Sequence, residues 1–285
     1  MGTRRAFTFA SLSALVVATA CVETTAVIAD ANTLVVHAVL DPGVQHQIIV
    51  VQRTTGALTA QLALTGAVVT IATPDGQTLT AVERRDTAEV TGFVPFPTVT
   101  TIYDLDAGPA GLIPGGTYQL RVAVPDGRTV TGLTTIPNAV PSTAVAPTLT
   151  IDRLRDTVSL QWSRVAGARG YEVFVRATYN PLYFSTYSVF ADTSVVLPGT
   201  AQGLYGNKSF CGNVSKYPTR VVCPFAFVSG FTHQLAVIAV DANYFDYYHD
   251  SGDSFTASGL VMHLDGGIGV FGSVVTVATR TIVVH

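Results

Sequence analysis

The segment from Asp241 to Ser254 concentrates the side chains best suited to chemistry: Asp241, Asp246, Asp250, Asp253 and His249, interleaved with Tyr244, Phe245, Tyr247 and Tyr248. Carboxylate oxygens at that density suit a hard cation such as calcium. The spacing is not that of an EF-hand loop, whose ligands alternate around a required glycine and end in glutamate, so a solvated loop is the plainer reading. A second motif, Gly267-Ile268-Gly269-Val270-Phe271-Gly272, matches GxGxxG. A dinucleotide fingerprint needs a strand before it and a helix after it. Here a strand-forming run, Val274 to Val284, follows, so no helix N-terminus awaits a pyrophosphate. These glycines are expected to serve a bulge or close backbone packing. There is no GxSxG elbow, no HExxH helix and no nucleophile-and-base constellation, and a Ser, a His and an Asp without geometry are no evidence for a triad. The reading is therefore non-enzymatic, with no catalytic residue, metal ligand or cofactor assigned.

Between Gly203 and Ser229 lies a segment too long for a simple sandwich connection, holding Tyr205, Phe210, Tyr217, Phe225 and Phe227. Long loops on a rigid scaffold are where binding concentrates. With Tyr244, Tyr247 and Tyr248 these aromatics form the candidate binding set, suited to a sugar, a peptide or a partner protein. The alternative is a flap that covers a sheet edge. Cys211 and Cys223 fall in the same segment, and a disulfide closing so short a loop would contribute about 3 kcal/mol in an oxidising compartment. Zinc would need four ligands, and no CxxC or paired histidines stand nearby.

The third cysteine sits elsewhere. Arg4 and Arg5 precede an apolar run from Ala6 to Ala18, then Ala18-Thr19-Ala20-Cys21. A basic start, a short apolar stretch and small residues before the cut describe an export signal. The cysteine placed just after them resembles a lipobox, although Ala18 stands where leucine is usual. Residues 1–20 are then the signal peptide, Cys21 the lipidated first residue and 21–32 a tether. An ordinary secretory signal with a chance cysteine is the alternative. Acyl chains on Cys21, at about 0.8 kcal/mol per buried CH₂, would hold the protein at a bilayer surface. The apolar run is shorter than the roughly 20 residues of a membrane span. Val22, where aspartate favours inner-membrane retention, makes the outer membrane the expected address.

Composition sets what these residues must be mounted on. Hydrophobic residues make up 48% and charged residues only 12%, with valine and threonine in short runs bounded by glycine and proline, the pattern of a β protein. A formal net charge of -3 with 16 Lys+Arg leaves no basic face for nucleic acid. Strands are predicted over residues 33–40, 45–53, 67–72, 77–84, 117–124 and 128–135. Pro74-Asp75-Gly76 and Pro125-Asp126-Gly127 spell two hairpin turns, each placing the fixed φ of proline before a glycine free to take φ > 0. Pro137, Pro141 and Pro147 mark a joint, since each proline removes a ladder donor.

The predicted organisation is all-β: an immunoglobulin-like sandwich over 33–136, a proline-marked linker over 137–147, and a second sandwich over 148–285. Tyr118, in the Pro114-Gly115-Gly116-Thr117-Tyr118 run, reads as structural. The second sandwich resembles a fibronectin type III domain: Thr157 to Ser163 and Val165 to Val175 match its B and C strands, with Trp162 in the core. Phe231 to Asp241 matches its F strand, with His233 where tyrosine is usual and expected to be half-buried and satisfied by backbone.

Four stretches taken together carry a wider resemblance: Leu34-Val35-Val36-His37-Ala38, Gly66 to Ile71, Pro114 to Leu120, and the ending Gly266-Gly267-Ile268-Gly269-Val270-Phe271-Gly272. With the lipobox-like start, the chain resembles the lipoproteins of domain-of-unknown-function family 4249 along nearly its whole mature length. Such lipoproteins are commonly encoded beside TonB-dependent outer-membrane receptors, so the resemblance implies an accessory role in nutrient uptake. It brings no catalytic residues. A structural or adhesive surface lipoprotein is the runner-up, and a surface hydrolase using His233, His249 or Asp253 comes third.

Overall fold

The structure, a computed structural model, describes residues 32–54, 61–86, 100–139, 146–179, 182–201, 226–248 and 262–285. The first half supplies β1 (Leu34–Leu40), β2 (His46–Thr54), β3 (Gln61–Ala63), β4 (Val68–Ala72), β5 (Thr78–Thr80), β6 (Val82–Asp86), β7 (Thr100–Asp106), β8 (Thr117–Ala123) and β9 (Thr129–Thr135). The second half supplies β10 (Ala146–Ile151), β11 (Thr157–Gln161), β12 (Gly170–Tyr179), β13 (Leu182–Ala191), β14 (Ser194–Pro198) and β15 (Thr232–Val240). A short helix, α1 (Ala242–Tyr248), then precedes β16 (Leu264–Asp265) and β17 (Ile268–Val284).

Period-two alternation decides the faces. In β8, Tyr118, Leu120 and Val122 are buried while Thr117, Gln119 and Arg121 face water. In β1, Leu34, Val36, Ala38 and Leu40 enter the main core, so His37 and Val39 point to the opposite face of the sheet. Gly76 (φ 85°) and Gly127 (φ 90°) take the left-handed conformation that the two Pro-Asp-Gly turns require. Tyr118 is structural: its hydroxyl accepts the backbone N–H of Ile113 at 2.6 Å. The predicted strand over 77–84 is broken at Ala81, because β5 pairs with β4 in one sheet and β6 with β7 in the other. A strand that changes sheets turns the corner of a sandwich.

The chain is an all-β sandwich protein. A ten-stranded sheet runs β13-β12-β15-β17-β1-β2-β7-β6, with β10 added on β17 and β3 on β2. A five-stranded sheet, β16-β9-β8-β4-β5, covers one end of it and a two-stranded β11-β14 sheet the other. Their cores are built around Tyr103, Tyr118, Leu120 and Phe271, and around Tyr171, Val173, Phe227 and Leu235. Trp162 packs against the second core, its ring edge-on to Tyr171 at 5.6 Å.

Strand pairing crosses residues 137–147, the expected joint between two sandwiches. β16 pairs with β9, and the first six residues of β17 pair in parallel with β1. The rest of β17 pairs with β15 and β10. The reason is length: the 17 residues of β17, at about 3.3 Å each, span two sandwiches. The joint itself is in contact with the second half, the Asn138 N–H donating to the Ala166 carbonyl at 2.8 Å, while 140–145 lie outside the described residues.

Candidate functional site

The front half of β17 has β1 on one side and, on the other, no strand among the described residues. Exposed backbone there needs partners, and side chains supply them. Asp241, directly after β15, accepts the Ser273 N–H through Oδ1 at 3.1 Å. Asn243 Nδ2 donates to the Phe271 carbonyl at 2.8 Å, and the Gly269 N–H points at the Met262 sulfur at 3.4 Å. Asp241 also caps α1, its Oδ1 accepting the Tyr244 N–H at 2.9 Å. Aspartate is a favoured residue for that role, its oxygen satisfying a donor the first turn leaves open. Its Oδ2 receives the Thr134 hydroxyl at 2.5 Å, and Thr134 is also bonded to Ser273 Oγ at 3.0 Å. Burial pushes the Asp241 carboxyl up from the ordinary aspartate range, opposed by hydrogen bonds led by that from Thr134.

Beside this network is a shallow recess of about 210 Å³ lined by Leu133, Thr134, Thr135, Gly167, Asp241, Ala242 and Asn243. Both Asp241 oxygens are already occupied, so the recess offers shape and backbone rather than a free carboxylate.

From its cap, α1 crosses the back face of the ten-stranded sheet. Tyr244 packs with Ile238, Val240 and Val274, joined by Val39, Phe174, Phe190 and Phe245. The Tyr244 hydroxyl donates to Glu172 Oε2 at 2.7 Å, and Ser188 donates to the other oxygen. Burial raises the Glu172 carboxyl and drives the Tyr244 hydroxyl well above its ordinary value. The aromatic surface continues outward: Tyr248 lies 4.5 Å from Tyr244 and 4.9 Å from Tyr247, and Tyr247 stands edge-on to His37 at 5.6 Å. Burial lowers the His37 value and pushes the Tyr248 hydroxyl up to about 12. Tyr248, 44% exposed, is the aromatic of this cluster most open to a ligand.

The GxGxxG run is a packing device. A Cβ on Gly269 (φ +116°) would fall 2.0 Å from the Val36 carbonyl oxygen of the parallel neighbour, and one on Gly272 would meet the backbone and Cβ of Tyr244 at 3.0 Å. These glycines let β1 and α1 lie close against β17, and a strand follows them.

The expected binding set divides. Tyr244, Tyr247 and Tyr248 come together on α1, where a short helix replaces the expected loop. Phe227 is corrected: it is fully buried in the second core, stacked edge-on to His233 at 5.7 Å, because the chain from Ala226 onward already belongs to the sandwich. Tyr205, Phe210, Tyr217 and Phe225 lie outside the described residues, as do Cys21, Cys211, Cys223, His249, Asp250 and Asp253. Asp246 pairs with His263 at 2.9 Å. His233 is fully buried rather than half-buried, its Nε2 accepting the Val228 N–H at 3.1 Å. Reasoning from sequence missed His37, Thr134, Glu172 and Ser273. His37 and Glu172 were marked only by being polar residues inside apolar strands, and Thr134 and Ser273 by nothing local.

A second recess, of about 160 Å³, is lined by His46, Thr80, Val82, Arg84, Asp104 and Asp106. There Asp104 holds His46 at 3.0 Å and Arg84 at 3.1 Å. Among the described residues no group of three His, Cys, Asp or Glu side chains is placed to hold a metal ion, and no helix is long and apolar enough to cross a membrane.

Residues 22–278 match one protein family. The chain belongs to it. The family is described as Domain of unknown function (DUF4249), and its match begins one residue after Cys21 and ends within β17, covering both sandwiches and α1. No curated protein matches the chain. The DUF4249 description names no function, which leaves the function of this chain to be argued from the site.

Proposed function

We propose that the protein is a non-enzymatic lipoprotein, anchored at the outer membrane through Cys21, that serves as an accessory binding protein for nutrient uptake beside a TonB-dependent receptor. The observation that carries this reading is the start of the family match at Val22, immediately after the lipobox-like Ala18-Thr19-Ala20-Cys21. The family domain thus begins where lipid processing would leave the mature chain. The aromatic surface of α1, with Tyr247 and Tyr248 outermost, is the contact face, and the anchor raises its local concentration near the transporter. Hydrogen bonding supports the non-enzymatic part: the Asp241 carboxylate is saturated by structural donors, and Glu172 is sealed between Tyr244 and Ser188. A disulfide between Cys211 and Cys223 belongs to the same reading, as a staple for an exported loop.

Two experiments test it. Radiolabelled palmitate incorporated by the wild type and not by Cys21→Ser supports the anchor, and equal labelling of both overturns it. Affinity purification of the lipidated protein from its native membranes, followed by mass spectrometry, is expected to recover a TonB-dependent receptor in stoichiometric amount. Recovery of surface polymer without a transporter would favour a structural or adhesive role instead.

A further inference from the structure

Four arginines of this fold sit in ion pairs with carboxylates: Arg84 with Asp104, Arg128 with Asp126, Arg155 with Asp152 and Arg164 with Asp192. Arg169, just before β12, and Arg176, within it, lie on aromatic rings instead. The Arg169 guanidinium is 5.0 Å from the centre of the Phe245 ring, and that of Arg176 is 5.4 Å from the centre of Phe174. Both arginines are exposed, and neither forms an ion pair among the described residues. Stacking uses the face of a guanidinium and leaves the N–H donors in its plane, which can grip a carboxylate through two parallel bonds.

The back face of the ten-stranded sheet is laid out in rows around them. α1 covers the row of Glu172 and Ile238. The next row carries Phe174, Ala236 and Thr279, and the one after it Arg176, Gln234 and Thr281. Their alternates Val173, Val175, Leu235 and Val237 are in the second core, so the side chains of these rows point away from it. Gln234 Nε2 donates to the Thr281 hydroxyl at 3.1 Å, and Gln234 is exposed, with a second amide hydrogen to offer.

Charge and topology select the occupant. Two arginines without a counter-ion call for an anion, and the carboxylates of the surrounding elements are engaged elsewhere: Glu172 by Tyr244 and Ser188, Asp246 by His263 and Asp192 by Arg164. β12 is paired on both sides, with β13 and β15, so its backbone has no ladder to offer a peptide strand. Recognition then rests on side chains, and an amide, hydroxyls and ring-backed guanidiniums suit a hydroxyl-rich anion. From Arg169 to Arg176 the chain covers about 23 Å at 3.3 Å per residue, more than one sugar and matched by a chain of them. We infer that this face binds an acidic polysaccharide built of uronic acid sugars, Arg169 and Arg176 each taking a carboxylate and Gln234 and Thr281 taking hydroxyls. The assignment goes beyond the accessory role at a receptor and does not rest on it.

Isothermal titration calorimetry of the full chain in mild detergent tests this with polygalacturonate and alginate, and with dextran, poly-L-glutamate and free galacturonic acid as controls. The wild type is expected to bind at least one of the two polyuronates, more weakly as salt is raised, and to bind neither dextran nor poly-L-glutamate. Free galacturonic acid, which reaches one arginine at a time, is expected to bind at least about tenfold more weakly. Arg169→Gln and Arg176→Gln should each weaken polyuronate binding about tenfold, the scale of one charged hydrogen-bonded contact. Arg176→Lys, which keeps the charge and loses the two-pronged grip, should weaken it as well. Both arginines are exposed, so the variants are expected to keep the circular dichroism spectrum and melting temperature of the wild type. Binding of neither polyuronate overturns the proposal, as do arginine variants that bind as well as the wild type. Equal binding of poly-L-glutamate also overturns it, by showing recognition of charge without sugar. Recovery of a TonB-dependent receptor from membranes does not enter this measurement, so the two readings fail separately.

Discussion

Asp241 and Ser273 are bonded to each other twice: the Asp241 N–H donates to the Ser273 carbonyl at 3.0 Å and the Asp241 carboxylate accepts the Ser273 N–H at 3.1 Å. The first bond continues the β15–β17 ladder, and the second ends it by replacing the next strand with a side chain. Asp241→Ala would leave the Ser273 N–H and the Tyr244 N–H without their acceptor and take from the Thr134 hydroxyl the nearer of its two partners. Each unsatisfied buried group costs about 1–3 kcal/mol, so the loss is expected at about 4 kcal/mol. Chemical denaturation of the variant checks it, and a loss below about 1 kcal/mol would show that water replaces the carboxylate.

Gly269 makes a sharper prediction. Its φ of +116° strains any L side chain, and the Val36 carbonyl occupies the space a methyl group would need. Gly269→Ala should separate β1 from β17 and cost about 3 kcal/mol or more, within the range of strained and overpacked sites. Gly76→Ala, at a turn with φ +85° and nothing within 4 Å of the added carbon, carries only the conformational part, about 1 kcal/mol. Comparing the two variants by thermal unfolding separates steric clash from backbone strain.

These two sites mark how far the sequence could be read. The hairpins around Gly76 and Gly127 were legible because proline, aspartate and glycine act on their own backbone, and the strands beside them because alternation is local. The β1–β17 pairing was not legible, since parallel partners more than 200 residues apart leave no local trace. Family resemblance had singled out the Gly266 to Gly272 ending without saying what the glycines avoid. α1 is one seven-residue helix with no acidic residue in its first turn and no basic residue in its last, too short to show a period. Only Asp241 before it was a cue, as a cap residue. Phe227 was misplaced because an aromatic in a long connection reads the same whether it faces ligand or core.

His233 predicts a pH dependence. Burial pushes its value from the ordinary 6.5 down to about 4, with the Phe231 backbone opposing, so the folded state keeps the ring neutral while the unfolded chain protonates it. Stability from this residue is therefore complete above pH 6.5, falls as the pH drops toward 4, and changes no further below that. The full effect is about 3 kcal/mol. Glu172 and Asp241, whose carboxyls burial raises, act with the opposite sign, so the raw pH profile mixes them. The discriminating measurement is the stability difference between wild type and His233→Phe by urea denaturation. It is expected to favour the wild type at pH 7 and to shrink by about 3 kcal/mol at pH 4. A difference independent of pH would assign the buried ring a packing role only.

Phe227 and Tyr248 were placed together as candidate binding aromatics, and their burial now separates them. Phe227 is fully enclosed in the second core, where truncation removes a large apolar side chain and leaves a cavity. Phe227→Ala is expected to cost about 3–5 kcal/mol. Tyr248 is 44% exposed and held chiefly by ring contacts with Tyr244 and Tyr247, each worth about 0.5–1.5 kcal/mol. Tyr248→Ala should thus cost about 1 kcal/mol of stability while weakening recovery of any partner that uses the α1 face. Urea denaturation and membrane affinity purification on the same two variants measure both quantities. Loss of partner with intact stability in Tyr248→Ala places the contact on α1. Full recovery with Tyr248→Ala would move the contact surface away from the helix, leaving its aromatics as the cover of the back face of the sheet.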